Sequence, residues 1–149
     1  MVGDSTGAGV GPVGICDPFL MTDEQLLQQA NDVRERAYAP YSGFKVGAAL
    51  LCKDGTVFTG VNIENAAYGP SVCAERTAFF KAISEGYCDF VKIAVSCDKK
   101  YCSPCGVCRQ VMAEHAPDLE ILMGNPHGTF KRVSIRDLLP ESFSLFEET

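Results

Sequence analysis

Three cysteines and one glutamate constrain this chain more than any other feature. Cys73-Ala74-Glu75-Arg76 is followed by Pro104-Cys105-Gly106-Val107-Cys108-Arg109-Gln110, with Cys105 lying 32 positions after Cys73. That interval is long enough to finish one helix, run one strand and open another helix. A fold that uses all three cysteines together must bring two helix beginnings to one point. Cys105 and Cys108 are three apart on a helix and share a face. Cys73 opens the other helix. Helix N-termini carry partial positive charge and free N–H groups. Both features favour the thiolate, the form of cysteine that binds metal. Three thiolates with one open position is the layout of a catalytic zinc site, because a structural site is normally closed by four protein ligands. The open position admits water, which the metal activates toward hydroxide.

Glu75 sits two residues past Cys73 and is not read as a ligand. Its carboxylate is placed to take the proton of that water and pass it to a leaving amine. Three thiolates against one divalent ion leave an excess negative charge, which weakens the zinc as a Lewis acid. Arg76 offsets this excess by donating hydrogen bonds to ligand sulfurs.

Around these motifs the chain alternates between helical and strand patterns. Thr22-Asp23-Glu24-Gln25 has the form of a capping box. Leu26, Leu27, Ala30, Val33 and Ala37 then recur at helical spacing, and Pro40 is expected to stop this helix. Val46 to Leu51 and Thr56 to Ile63 read as strands joined at Lys53-Asp54-Gly55, an antiparallel hairpin. A second helix is expected from Val72 to Glu85, with Gly86 as its cap. Phe90 to Ser96 reads as a buried strand. Ser103 and Pro104 have the form of an N-cap and first position, so a third helix is expected from there to Glu114. Leu119 to Met123 and Thr129 to Ser134 read as two more strands, and Ser134 caps a last short helix ended by Pro140. This order predicts a mixed five-stranded sheet covered by helices. Residues 1–19 are Gly-rich and are expected to form a flexible leader, with the folded domain occupying residues 20–149.

Composition narrows the partners. The net charge is −6, with only 13 Lys and Arg and no basic run. Gripping nucleic acid requires cations that displace phosphate counterions, so a polymer is excluded as partner and a small, weakly charged substrate fits. No stretch is long and apolar enough to span a membrane. No signal peptide is recognised, which predicts a cytoplasmic protein with reduced thiols. The chain has eight cysteines, and clusters of them in that setting suggest metal or catalysis before disulfides.

The motifs resemble those of the small, homotetrameric cytidine deaminases over about Thr22 to Phe143. Ala39-Pro40-Tyr41-Ser42 with Phe44, Val46, Gly47, Ala48 and Ala49 matches the first block of that family. Gly60-Val61-Asn62-Ile63-Glu64-Asn65-Ala66 matches the second. The two cysteine motifs complete the series in the same order, and the joined signature is that of zinc deaminases. The resemblance implies a three-layer α/β/α fold and one zinc per chain on Cys73, Cys105 and Cys108. It implies hydrolytic deamination of cytidine and deoxycytidine in pyrimidine salvage, with Glu75 as proton shuttle and anchor of the ring nitrogen. It further implies that Asn62 and Glu64 bond the ribose, that Phe44 packs beside the pyrimidine and that Ala74 touches the substrate. Ala66 and Tyr68 would contact the substrate or its surroundings across a subunit boundary. A C-terminal Phe closes the site in the family; Phe143 is the best match, with Phe146 close by.

Other features carry plainer readings. Cys102, three before Cys105, would close the zinc site if it ligated, but the resemblance places an ordinary apolar residue there. Cys16, Cys52, Cys88 and Cys97 read as buried or incidental small residues. His115 and His127 fall outside both motifs and read as surface residues. Phe79 and Phe80 are adjacent on the second helix and cannot share a face, so one of them is free to meet a partner chain. Two rival readings fit the sequence less well. Blasticidin deaminases share the zinc motif but lack the Asn-x-Glu pair and the Phe-x-Val-Gly-Ala block, while nucleotide deaminases generally use His as first ligand. A zinc-stabilised binding module explains the cysteines but not Glu75, Asn62 and Glu64 together.

Overall fold

The computed structural model describes residues 21–146. The expected leader therefore lies outside the described residues.

Helix α1 spans Asp23–Arg34 and opens on the expected capping box: Gln25 N–H donates to Thr22 Oγ1, and Thr22 N–H donates to Gln25 Oε1. It stops six residues before Pro40. Tyr38 is taken instead by the segment that follows the hairpin, donating to Asn62 O and accepting from Glu64 N. That pairing pulls Ala37 and its neighbours out of helical geometry.

Strands β1 (Gly47–Cys52) and β2 (Val57–Val61) form the antiparallel hairpin. Its turn uses Gly55 at positive φ, a conformation glycine adopts without a Cβ penalty. Helix α2 is Ala74–Ser84, with Cys73 at its N-cap and Gly86 at positive φ just beyond its C-cap. Strand β3 is Phe90–Ser96 and helix α3 is Gly106–His115. Strands β4 (Glu120–Gly124) and β5 (Phe130–Ser134) follow, and Ser134 caps the short helix α4, Ile135–Leu138.

The sheet order is β2-β1-β3-β4-β5. Among the five strands of this sheet only β3 and β4 pair in parallel, with α3 as the connection between them. Alternation along the strands sends side chains to two separate cores. Ala49, Leu51, Ala94 and Leu122 meet Leu26, Leu27 and Ala30 of α1 on one face. Ala48, Leu50, Ile93, Val95 and Ile121 meet Ala78, Phe79 and Met112 on the other, where α2 and α3 lie. Three layers result, α/β/α, as expected.

Two glycines set the depth of this packing. A Cβ on Gly60 would fall 2.4 Å from Ala74 O and 2.5 Å from Ala78 N, and one on Gly47 would fall 2.0 Å from Ala30 O. Glycine at position 60 thus lets the first turn of α2, which carries the candidate site, sit directly on β2.

Candidate metal and active site

The two cysteine motifs converge as the spacing required. Cys73 and Cys105 are the N-cap residues of α2 and α3, and Cys108 lies one turn into α3. Their sulfurs lie within 4.8 Å of one another. Cys73 Sγ and Cys105 Sγ are 3.7 Å apart. Two sulfurs on a tetrahedral zinc with bonds near 2.3 Å stand about 3.8 Å apart, so the donor set fits that ion.

The third helix begins later than the Ser103-Pro104 pair suggested. Its N-cap is Cys105. The cause is Arg109, whose side chain folds back over the approach. Its Nε donates to Pro104 O at 2.8 Å, its Nη2 to Ser103 Oγ at 2.9 Å and its Nη1 to Leu138 O at 2.8 Å. Ser103 is thereby engaged by a guanidinium and does not cap the helix. The extended approach leaves Cys105 at the helix mouth.

Arg76 Nη2 donates to Cys73 Sγ at 3.4 Å, as inferred from the charge of a three-thiolate site. The Cys73 thiol is drawn down to about 5, foremost by its hydrogen bond with Cys108 and further by Arg76 and Cys105, against the opposing effect of burial. Cys108 is pushed well above the usual thiol range by the same bond with Cys73, by burial and by the charge of Glu75. Glu75 is buried, with Cys108 Sγ 3.8 Å from its Oε2. Burial pushes its carboxyl up to about 7.

A cavity of about 380 Å³ opens onto this cluster, within the size range of small-molecule sites. Cys73, Cys105, Ala74, Glu75 and Arg76 line it, together with Phe44, Asn62 and Glu64. Asn62 and Glu64 lie beyond the end of β2, on an extended segment bridged to Tyr38 and Val72 through Ile63. The expected strand through Ile63 therefore ends two residues early. Beyond it, side-chain bonds reinforce the main-chain bridges. Asn62 Oδ1 accepts from Val46 N at 2.8 Å, and its Nδ2 donates to Phe44 O at 2.7 Å. Glu64 Oε1 accepts from Tyr41 N and Ser42 N. Its carboxyl is held below the ordinary range, first by the Ser42 hydroxyl. Both residues brace the segment that presents Phe44 to the cavity.

Ala66, Tyr68 and Phe143 are exposed and do not line this cavity in their own chain. Tyr68 has positive φ and is 80% exposed. Phe143 is 70% exposed, with its carbonyl accepting from Gln110 Nε2. His115 and His127 are exposed and away from the site.

Two cysteines differ from their expected role. Cys97 and Cys102 are joined in a disulfide and both line the cavity. Cys102 is thus turned toward Cys97 and away from the thiol cluster. Five residues of separation carry no pairing signal in a chain expected to keep its thiols reduced. Cys88 is exposed, whereas Cys52 is buried and its thiol is pushed up to about 12 by that burial.

Residues 20–122 match the model of the cytidine and deoxycytidylate deaminase zinc-binding region. The chain belongs to this family of zinc-dependent deaminases. These enzymes are zinc-binding hydrolases, and the thiols of Cys73, Cys105 and Cys108 are grouped closely enough to hold a metal ion. A cytidine deaminase of Halalkalibacterium halodurans is 53% identical over 126 residues, covering 83% of this chain and 96% of the relative. One of Sporosarcina psychrophila is 48% identical, covering 83% and 93%. The crystal structure of cytidine deaminase from Burkholderia pseudomallei superposes with a TM-score of 0.80 at 50% identity, covering 83% of this chain and all of that one.

Proposed function

We propose that the chain hydrolyses cytidine and deoxycytidine to uridine and deoxyuridine, releasing ammonia, as a step of pyrimidine salvage. The observation that carries this reading is the position of Glu75. A buried carboxyl with a proton affinity near neutrality stands beside three clustered thiols, at the wall of a nucleoside-sized cavity.

Bound zinc, held by Cys73, Cys105 and Cys108, supplies the Lewis acidity that lets water act as nucleophile near neutral pH. Glu75 accepts one proton from the attacking water and delivers it to the ring nitrogen, where it stays in the product, then takes the second proton from the hydroxyl formed at the attacked carbon and delivers it to the departing amine. A carboxyl whose pKa lies near the working pH both takes and returns a proton at little cost. Arg76 draws charge from Cys73 and so keeps the metal electrophilic. Phe44 packs beside the pyrimidine and Ala74 touches it. Asn62 and Glu64 bond the ribose hydroxyls. A carboxylate has about four acceptor sites, so Glu64 can serve Tyr41, Ser42 and a sugar hydroxyl together.

Ala66, Tyr68 and Phe143 complete the site of a neighbouring chain in a homotetramer. Their exposure on their own chain supports this role. Phe146, 76% exposed, is the alternative to Phe143. Among the described residues no helix is long and apolar enough to cross a membrane.

The test is direct spectrophotometry of cytidine, deoxycytidine and free cytosine with the zinc-loaded protein. Both nucleosides are expected to be converted, with cytosine much poorer, because sites built for sugar hydroxyls leave polar groups unpaired without them. Equal kcat/KM for cytosine and cytidine would refute the ribose assignment, and no conversion of either nucleoside would refute the activity.

A further inference from the structure

The segment between β3 and α3 lines the cavity through Cys97, Lys99, Tyr101 and Cys102, and it is tied down by contacts outside the metal cluster. Cys97 directly follows β3, and Cys102 stands three residues before Cys105. Both are buried, at 0% and 5% exposure. Their Cα atoms are 5.5 Å apart, within the range of about 4.4–6.8 Å that a disulfide spans. The four residues between them, Asp98 to Tyr101, are all exposed. Lys99 and Tyr101 line the cavity, and Lys99 Nζ stands 5.8 Å from the centre of the Phe44 ring. Only two other ties hold this loop from outside among the contacts described: Arg34 pairs with Asp98, and Asn125 Nδ2 donates to Lys100 O at 2.9 Å.

We propose that the Cys97–Cys102 bond is a positioning element for substrate binding, and that its reduction loosens the cavity wall without disturbing the metal. The proposal rests on the reading that this cavity holds the nucleoside. Oxidised, the bond fixes both ends of the loop and keeps Lys99 and Tyr101 against the Phe44 side of the cavity. Reduction proceeds by thiol–disulfide exchange with a dithiol. One thiolate of the reductant attacks a protein sulfur, the sulfur–sulfur bond breaks, and the second thiolate displaces the mixed disulfide. The reductant leaves as its own disulfide, two electrons poorer, and its two protons end on Cys97 and Cys102. A small disulfide, such as oxidised glutathione, reverses the step with the same balance. Glu75 and the three thiols of the metal cluster take no part. The consequence is a change in KM with kcat preserved, since the wall contacts bound substrate but not the reacting atoms.

The experiment compares three forms of the zinc-loaded protein: oxidised wild type, wild type reduced with a dithiol and freed of excess reductant, and a Cys97→Ala/Cys102→Ala variant. Alkylation after denaturation without reductant should leave Cys97 and Cys102 unmodified in the oxidised form alone. Trypsin should cut after Lys99 and Lys100 faster in the other two forms. Both should raise KM for cytidine about threefold or more, with kcat within about twofold and zinc still at one per chain. The reduced wild type keeps the test valid if the double variant folds poorly. Alkylation of both cysteines in the oxidised preparation would overturn the proposal, as would unchanged KM and tryptic rate, or a fall in kcat that tracks zinc loss. If the wild type does not deaminate cytidine at all, the functional reading fails separately. The alkylation and proteolysis results then still decide whether the bond exists and holds the loop.

Discussion

Burial of Glu75 gives the stability of the folded chain a pH dependence. The Glu75 carboxyl is pushed up to about 7, against 4.5 for an ordinary glutamate. Between those two values the folded metal-free chain holds a proton that the unfolded chain has released. Its stability therefore falls as pH rises through this window. Glu75→Gln removes the ionisable group, so metal-free variant and wild type should melt alike near pH 4.5. The variant should gain between about pH 4.5 and 7 and level off above that, by at most about 3 kcal/mol. Thermal melts of the two metal-free proteins across that range check the sign, and a variant less stable at pH 8 than wild type would contradict it. Metal ligation separates the cysteines in the same way. Ala in place of Cys73, Cys105 or Cys108 should abolish zinc retention in elemental analysis, whereas Cys102→Ala should keep it, because Cys102 is bonded to Cys97. At this scale the chain was readable wherever a residue's placement follows from its own chemistry and its neighbours in sequence. The thiol triad, Glu75 and the Arg76 contact are of that kind. The main-chain bonds of Asn62 to Phe44 and Val46 were not, because they depend on how the chain returns after the hairpin.

Elements were legible to the degree that their signals are local. The capping box at Thr22, the turn at Gly55 and the glycine at 86 each specify geometry within a few residues, and each was met. The start of α3 was not, because the decisive partner of Ser103 and Pro104 is a guanidinium from the next turn that also grips Leu138 O. The early end of α1 has a similar cause, since Tyr38 answers to residues more than twenty positions away. The contact between α2 and β2 shows what such tertiary constraints are worth. Gly60→Ala would drive a methyl group into Ala74 O and Ala78 N. Overpacking of this kind costs typically about 1–3 kcal/mol. Because the displaced turn carries Cys73 and Glu75, zinc affinity and kcat should fall along with the melting temperature. A variant that loses stability but keeps full activity and metal would show that α2 need not seat so closely.

The molecule as a whole leaves apolar surface that one chain does not cover. Phe79 is fully buried while its neighbour Phe80 is 47% exposed, as adjacent helical positions require. Tyr68, Phe143, Leu145 and Phe146 are exposed as well. We expect a homotetramer in which these residues meet neighbouring chains, since soluble oligomers are mostly symmetric and repeat each contact. Mixing a Glu75→Gln chain with a chain truncated at Tyr68 or Phe143 should restore part of the activity that each lacks alone. A fully active monomer by light scattering at assay concentration would rule this out. The central claim, that Glu75 moves the proton beside a thiol-held zinc, rests on a single measurement: kcat of the zinc-replete Glu75→Gln protein with cytidine. General acid–base groups contribute roughly 10²–10⁴-fold, and a carboxyl that also anchors the ring nitrogen should reach at least the top of that range. A fall of that size with one zinc per chain is the predicted result, and near-normal turnover in the metal-replete variant would contradict the account.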